Sequence, residues 1–198
     1  MEDKNFVKEG NAIRLYDGDK MIAEVTFPET AEGINTIDHT FVDDCLRGQG
    51  IAGKLVKLAV DEIESCGGEV RATCSYAKKW ILSLVKDKVN ELLEAGSCCA
   101  ELKEAGEKWL EAVGTENEEV ATKNLIAELE DDVNLIDDTI GFFGSPMAAE
   151  IFGAEGAAQK LEEAKSAKEG GEKYCICPAC QAGAEILKFK GELIDKFC

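Results

Sequence analysis

The chain has 198 residues, 45% of them hydrophobic, which is enough apolar material for one large domain or two small ones and too much for wholesale disorder. Its net charge of −18 argues against nucleic acid or an anionic membrane as partner, since both repel an acidic surface. No run reaches the roughly 18 apolar residues of a membrane span, and the charged start MEDKNFVKEGN lacks the apolar stretch of a signal peptide, so the expectation is a cytoplasmic protein.

Strand patterns fill the first 45 residues. NAIRLYDG and KMIAEVTF alternate apolar and polar positions, with Asp17-Gly18-Asp19 between them as a hairpin turn. Pro28 and Gly33 mark a loop, and INTIDHTFV reads as the next strand, its apolar character supplied by Ile34, Ile37, Phe41 and Val42. From Gly50 the period changes. Ala52, Leu55, Val56, Ala59 and Ile63 form one stripe of a helix, with Lys54, Lys57, Asp61 and Glu64 opposite. Cys66-Gly67-Gly68 ends that helix, and EVRATCSY reads as a short strand.

After Trp80 strand signals vanish. VKDKVNELLEA, CCAELKEAGEKWLEAV, EEVATKNLIAELEDDVNLIDDTI, PMAAEIF, AEGAAQKLEEAKSA and PACQAGAEILKFKGELIDKF all carry helical patterns. Thr115 with Glu118 forms a capping-box pattern, and Ser145-Pro146 is an N-cap followed by an N1 proline. Ile126, Leu129, Val133, Ile136 and Ile140 are spaced as the buried seam of a bundle helix. Charge divides the chain in the same place: residues 1–86 carry 15 acidic and 11 basic side chains, residues 87–198 carry 25 and 11. The expected organisation is therefore α+β. A mixed-sheet domain over residues 1–86 is followed by an acidic, all-helical bundle over 87–198, with the boundary near residues 82–90.

Three phosphate-binding patterns overlap in HTFVDDCLRGQGIAGKL, residues 39–55. Gly48, Gly50 and Gly53 satisfy G-x-G-x-x-G, but a dinucleotide fold needs an acid after the next strand and further β-α units, and helices follow instead. Gly48 to Lys54 begins a P-loop, yet Leu55 stands where magnesium needs Ser or Thr. The third pattern, R/Q-x-x-G-x-G/A, is met by Arg47, Gly50 and Ala52, and asks only for a strand before and a helix after. Small residues there let the backbone approach a diphosphate, and the unpaired amides and dipole of the helix start attract it.

With IDHTFV, RGQGIAGKLVKLAVDEI and VRATCSYAKKWI in that order, residues 3–88 resemble the short, roughly 90-residue branch of the GNAT N-acetyltransferase superfamily. The resemblance implies a mixed sheet that splays open around acetyl-CoA. It places the diphosphate on the amides from Arg47 through Gly48, Gln49, Gly50 and Ile51 to Ala52, the pantetheine arm along Phe41 and Val42, and Ser75 nearby. It implies direct attack by an acceptor amine, carried by a small molecule or by a protein lysine. Tyr76 is the candidate acid for the departing thiolate, and Cys74 the candidate covalent acetyl acceptor; both could instead line the pocket without chemistry. The competing readings are a coenzyme A- or acyl-CoA-binding sensor module without turnover, and a thiol- or metal-binding protein that its first domain merely docks. The single histidine, His39, matches the family's HT pair and is expected to be a hydrogen-bonded structural residue, and Asp43 and Asp44 are expected to be solvated.

Nine cysteines are many for a reducing compartment. Cys175, Cys177 and Cys180 form C-x-C-P-x-C, with Cys177 before Pro178 as an N-cap; Cys98 and Cys99 follow Gly96-Ser97 at another helix start. Helix starts favour thiolate, the form that binds metal. Two such ends facing each other would hold zinc or an iron–sulfur cluster, with one or both of Cys98 and Cys99 as ligand. Redox-active thiols and unliganded cysteines are the alternatives. This half also resembles small cysteine-rich helical proteins of anaerobic bacteria.

Overall fold

The computed structural model of the protein describes residues 5–197. They divide into two compact units. One runs to Leu84 and takes in the segment from Lys188 on; the other is Val85–Leu187. The last segment, whose sequence pattern continues the helical half, thus packs with the first unit.

In that first unit β1 (Phe6–Lys8), β2 (Ala12–Asp17) and β3 (Lys20–Thr26) form an antiparallel meander. The β2–β3 turn is Gly18-Asp19, and Gly18 takes φ +58°, where a side chain would strain it. A short β4 (Glu29–Ala31) lies in the stretch that the sequence presents as a loop. INTIDHTFV is not one strand. It breaks at Asp38 into β5 (Ile34–Ile37) and β6 (His39–Val42). The Asp38 amide donates to the Thr26 carbonyl at 3.2 Å, and its carboxylate accepts from the Thr26 hydroxyl. β6 pairs antiparallel with β3 in a four-stranded sheet; β5 joins a second sheet, antiparallel to β4 and parallel to β7 (Glu69–Ala72). One run of chain therefore serves two sheets and leaves β6 as an edge strand beside an open gap.

The β5-to-β7 crossover carries a short 3₁₀ helix (Asp44–Leu46) and α1 (Ile51–Ser65). The buried stripe of α1 is Ile51, Leu55, Val56, Ala59, Val60 and Ile63, close to the pattern in the sequence. Gly67 at φ +74° closes it: the Gly68 amide bonds the Ile63 carbonyl at 2.9 Å and the Gly67 amide that of Glu64 at 2.8 Å. This double closure satisfies carbonyls that a helix end otherwise leaves open.

EVRATCSY does not end as a strand. β7 stops at Ala72, and α2 (Ser75–Glu94) begins, with the Lys78 amide on the Cys74 carbonyl at 3.0 Å. The start of α2 belongs to the first unit and its end to the second. α8 (Lys190–Asp195), in the first unit, covers the free edge of β7. Glu192 accepts from the Ala72 amide at 2.8 Å and Asp195 from Arg71 Nε at 3.0 Å.

The second unit is helical: the end of α2, then α3 (Ala100–Ala112), α4 (Glu118–Asp132), α5 (Ile136–Phe143), α6 (Pro146–Glu169) and α7 (Pro178–Leu187). Trp109 is fully buried and its indole N–H reaches the Thr122 hydroxyl at 3.0 Å, so the bulkiest core side chain carries no unpaired donor. Ser145 caps α6 as expected, accepting from the Ala148 amide at 3.4 Å, and Gly153 at φ +75° kinks that helix between its two sequence patterns.

The seam from Ile126 to Ile140 is not one helix. The chain leaves helical geometry between α4 and α5, where Cys175 N bonds Asn134 O at 2.9 Å and Ile136 N bonds Lys173 O at 3.0 Å. That short pairing, with a bridge between Leu135 and Tyr174, carries the C-terminal cysteines to the end of α4. α7 packs closely there: a methyl on Gly183 would lie 2.6 Å from Val133 Cγ2 and 3.0 Å from Leu129 Cδ2. Among the described residues no helix is long and apolar enough to cross a membrane.

Candidate functional site

Gly48 and Gly50 sit at φ +75° and +73°, and an added Cβ on either would meet no atom within 4 Å. Glycine is needed at both for backbone conformation, and both stand open to whatever approaches. Gly50 is the N-cap of α1 and offers no side-chain oxygen to the helix amides. The Lys54 amide takes the Gly50 carbonyl at 3.1 Å, while those of Gly48, Gly50, Ile51 and Ala52 find no protein acceptor among the described residues. The Arg47 and Gln49 amides turn back to the carbonyls of Asp44 and Leu46, at 3.3 and 3.4 Å. The free donors therefore form a narrower set than the whole Arg47–Ala52 stretch.

A cleft of about 510 Å³ opens beside them, lined by Thr40, Phe41 and Val42 of β6, by Leu46, Arg47, Gly48, Gly50, Ile51 and Ala52, and by Tyr76 of α2. Gln49 is directed away, its side-chain amide on the Cys45 carbonyl at 3.0 Å, and Ser75 does not line the cleft. Arg47, well exposed, pairs with Asp44 at 2.8 Å. Asp43 is not simply solvated. It pairs with Lys20 at 2.7 Å and accepts from the Cys45 amide, and these bonds, Lys20 foremost, hold its carboxyl well below the usual carboxylate range. The turn is thereby braced from below. His39 is exposed and does not line the cleft, and its ring has no hydrogen-bond partner among the described residues.

Tyr76 is 42% exposed at the cleft wall, and its hydroxyl would lie 3.6 Å from a methyl placed on Gly53. Trp80 Nε1 would lie 3.4 Å from the same methyl, so the third glycine of the turn serves the close approach of α1 to the start of α2. Cys74 lies just behind the wall with its thiol 3.5 Å from the Thr40 hydroxyl. Burial alone would raise its pKa, but the amides of Ala77 and Tyr76 and the Thr40 hydroxyl outweigh that and lower it. Cys74 is thus a thiol at the start of α2 whose pKa those donors lower. Sequence patterns gave no role to Thr40, the residue that joins Cys74 to the cleft, although it is the second member of the HT pair.

Residues 12–87 match the family model described as GCN5-related N-acetyl-transferase. Among solved structures, a GCN5-like protein from Staphylococcus aureus, assigned to the N-acetyltransferases and solved by NMR in solution, is 30% identical over 42% of this chain and 82% of its own, with a TM-score of 0.36. The chain belongs to the GCN5-related N-acetyltransferases through this first domain. No curated protein matches it significantly. The glycine turn, the edge strand β6 and Tyr76 all lie within the acetyltransferase domain, and so does the cleft they line.

A second cluster lies outside that domain. The sulfurs of Cys175, Cys177 and Cys180 fall within 4.8 Å of one another. They line a pocket of about 250 Å³ together with Ser97, Cys98, Cys99, Leu102, Asp132 and Asn134. Cys177 caps α7: its sulfur accepts from the Cys180 amide at 3.4 Å, and the Cys175 sulfur from the Cys177 amide at 3.4 Å. The neighbouring Cys175 and Cys180 thiols lower the Cys177 pKa, and the same coupling raises that of Cys180. Cys99 caps α3 in the same way, accepting from the Leu102 amide at 3.2 Å. All five cysteines named from the sequence thus share one pocket, three of them in a tight group. Asp132 joins them, and nothing in an acidic helix end distinguished it beforehand.

Proposed function

We propose that the acetyltransferase domain moves the acetyl group of acetyl-CoA to an amine, carried by a small molecule or a protein. The observation behind this is the set of free amides at Gly48, Gly50, Ile51 and Ala52, opening into the cleft walled by Phe41, Val42 and Tyr76. The fit to coenzyme A is physical. The helix start supplies donors for two linked phosphates, the absent side chains leave room for them, and β6 offers its unpaired edge to an amide-bearing arm. In the transfer a neutral amine attacks the thioester carbonyl, the carbon–sulfur bond breaks, the departing thiolate takes a proton, and the nitrogen gives one up to solvent, so that none is gained or lost overall. We assign the proton taken by the thiolate to the Tyr76 hydroxyl, a reading supported by its position on the cleft wall.

The lowered pKa of Cys74 favours a second route, in which its thiolate first takes the acetyl group and then yields it to the amine. Release of coenzyme A thiol across a panel of amines tests the proposal. Tyr76→Phe should lower kcat about a hundredfold or more, the usual range for a lost general acid. A mass gain of one acetyl group on Cys74 without amine would select the covalent route. Binding without thiol release for any amine would instead make the domain a coenzyme sensor.

In the second unit we infer one metal ion on Cys175, Cys177 and Cys180, zinc ahead of an iron–sulfur cluster. At a Zn–S distance of about 2.3 Å, tetrahedral geometry spaces sulfurs roughly 3.8 Å apart, which suits three thiols already within 4.8 Å. A [4Fe–4S] cluster holds each cysteine on its own iron, farther apart, and a [2Fe–2S] cluster places only two on one iron, so neither gathers three sulfurs as closely. The eight cysteines among the described residues, none in a disulfide, together with acetyl-CoA chemistry, suit a cytoplasmic setting.

A further inference from the structure

A tetrahedral ion on Cys175, Cys177 and Cys180 needs one more ligand, and naming it rests on the metal reading above. Three groups at the same pocket compete: the thiols of Cys98 and Cys99 and the carboxylate of Asp132.

Two of them are engaged with each other. The Cys99 sulfur accepts the Leu102 amide at 3.2 Å and donates to Asp132 Oδ2 at 2.8 Å. It therefore closes the start of α3 and ties it to the end of α4. The Cys98 thiol makes no hydrogen bond among the described residues and lies partly buried, lining the same pocket as Cys175, Cys177 and Cys180. A sulfur without a hydrogen-bond partner among the described residues, on the wall of the pocket that the trio also lines though outside its 4.8 Å group, is the one a fourth bond would engage at no cost to existing contacts.

We propose that Cys98, with Cys175, Cys177 and Cys180, completes a four-thiolate zinc site, and that Cys99 is a positioning residue holding Cys98 and Asp132 in place. On binding, each thiol releases its proton to solvent and gives a sulfur lone pair to the ion. The four negative sulfurs are partly offset by backbone donors, the Cys177 amide on Cys175 and the Cys180 amide on Cys177. With four protein ligands no position is left for substrate, so the ion is structural. It fastens the start of α3 to the start of α7, two segments far apart in sequence.

The full chain, reduced and stripped of metal, is titrated with cobalt(II) and then with zinc. Tetrahedral cobalt reports its thiolates through the sulfur-to-metal charge-transfer band and through intense d–d absorption. The wild-type chain should show a four-sulfur spectrum displaced by one zinc. Cys98→Ser should lose about a quarter of the charge-transfer intensity and weaken zinc at least tenfold. Cys99→Ser should keep the four-sulfur spectrum, since a serine hydroxyl caps a helix equally well. Loss of a sulfur in Cys99→Ser with none lost in Cys98→Ser would overturn the assignment. So would a three-sulfur wild-type spectrum that changes in Asp132→Asn. No cobalt bound by the wild-type chain, or iron with labile sulfide in its place, would remove the metal reading itself. If a variant fails to fold, X-ray absorption on the wild-type zinc protein counts the sulfurs directly: four support the assignment and three overturn it.

Discussion

Gly50 and Cys177 stand at the starts of two helices and leave them in opposite states. At α1 the cap residue has no side chain, the following amides have no protein acceptor, and the helix start opens into a cleft. At α7 a thiol takes the Cys180 amide and leans against two further sulfurs. The dipole and the orphan amides are the same in both. In the reading proposed above, a bare glycine lends the donors outward to an anionic ligand, whereas a cysteine turns them inward onto a sulfur that binds a cation, so that one device would serve two ligands of opposite charge.

Gly50→Glu should break the first half of that comparison most severely. A carboxylate at the helix start repels a diphosphate, and φ +73° disfavours any side chain there. Coenzyme A binding by calorimetry should weaken more than a hundredfold, or about 2.7 kcal/mol. Cys177→Ser sharpens the second half by separating cap from ligand. The hydroxyl still accepts the Cys180 amide, so circular dichroism should be nearly unchanged while zinc is lost.

Gly183→Ala tests how firmly the pocket's scaffold is packed. A methyl 2.6 Å from Val133 must displace the segment leading into Asn134, at an expected cost of about 1–3 kcal/mol in urea unfolding. The smallest effect belongs to Cys74, the thiol at the start of α2 in the acetyltransferase domain. Its lowered pKa means that thiolate persists to lower pH, so alkylation should reach half its maximal rate below the ordinary thiol value of 9.0. Thr40→Val, which removes one of the donors, should move that midpoint upward.

What the sequence revealed and what it hid follow from how far each cause reaches along the chain. Gly48 and Gly50 were legible because a positive φ excludes nearly every other residue, and the strand-turn-helix around them is local. Ser145-Pro146 was legible because an N-cap hydroxyl and an N1 proline are equally local signals. The break at Asp38 was not. No glycine or proline marks it, β-forming residues lie on both sides, and the sheet change is fixed by Thr26 on a neighbouring strand. The break after Asp132 was equally hidden, because the apolar spacing runs on through Ile136 while pairing with residues 173–175 pulls the backbone out of the helix. That same long-range pairing assembles the cysteine pocket, so the sequence could name its thiols but not Asp132 or the order among Cys98 and Cys99. EVRATCSY misled because its propensity is extended to the end, whereas Cys74 acts as a cap.

The most direct test is a coenzyme A titration of the isotope-labelled full chain followed amide by amide in NMR spectra. The largest shifts should fall on Gly48, Gly50, Ile51 and Ala52, with smaller ones on Arg47 and Gln49, whose amides are already engaged. Saturable binding that leaves those four amides unmoved, or no binding at millimolar coenzyme, would contradict the account.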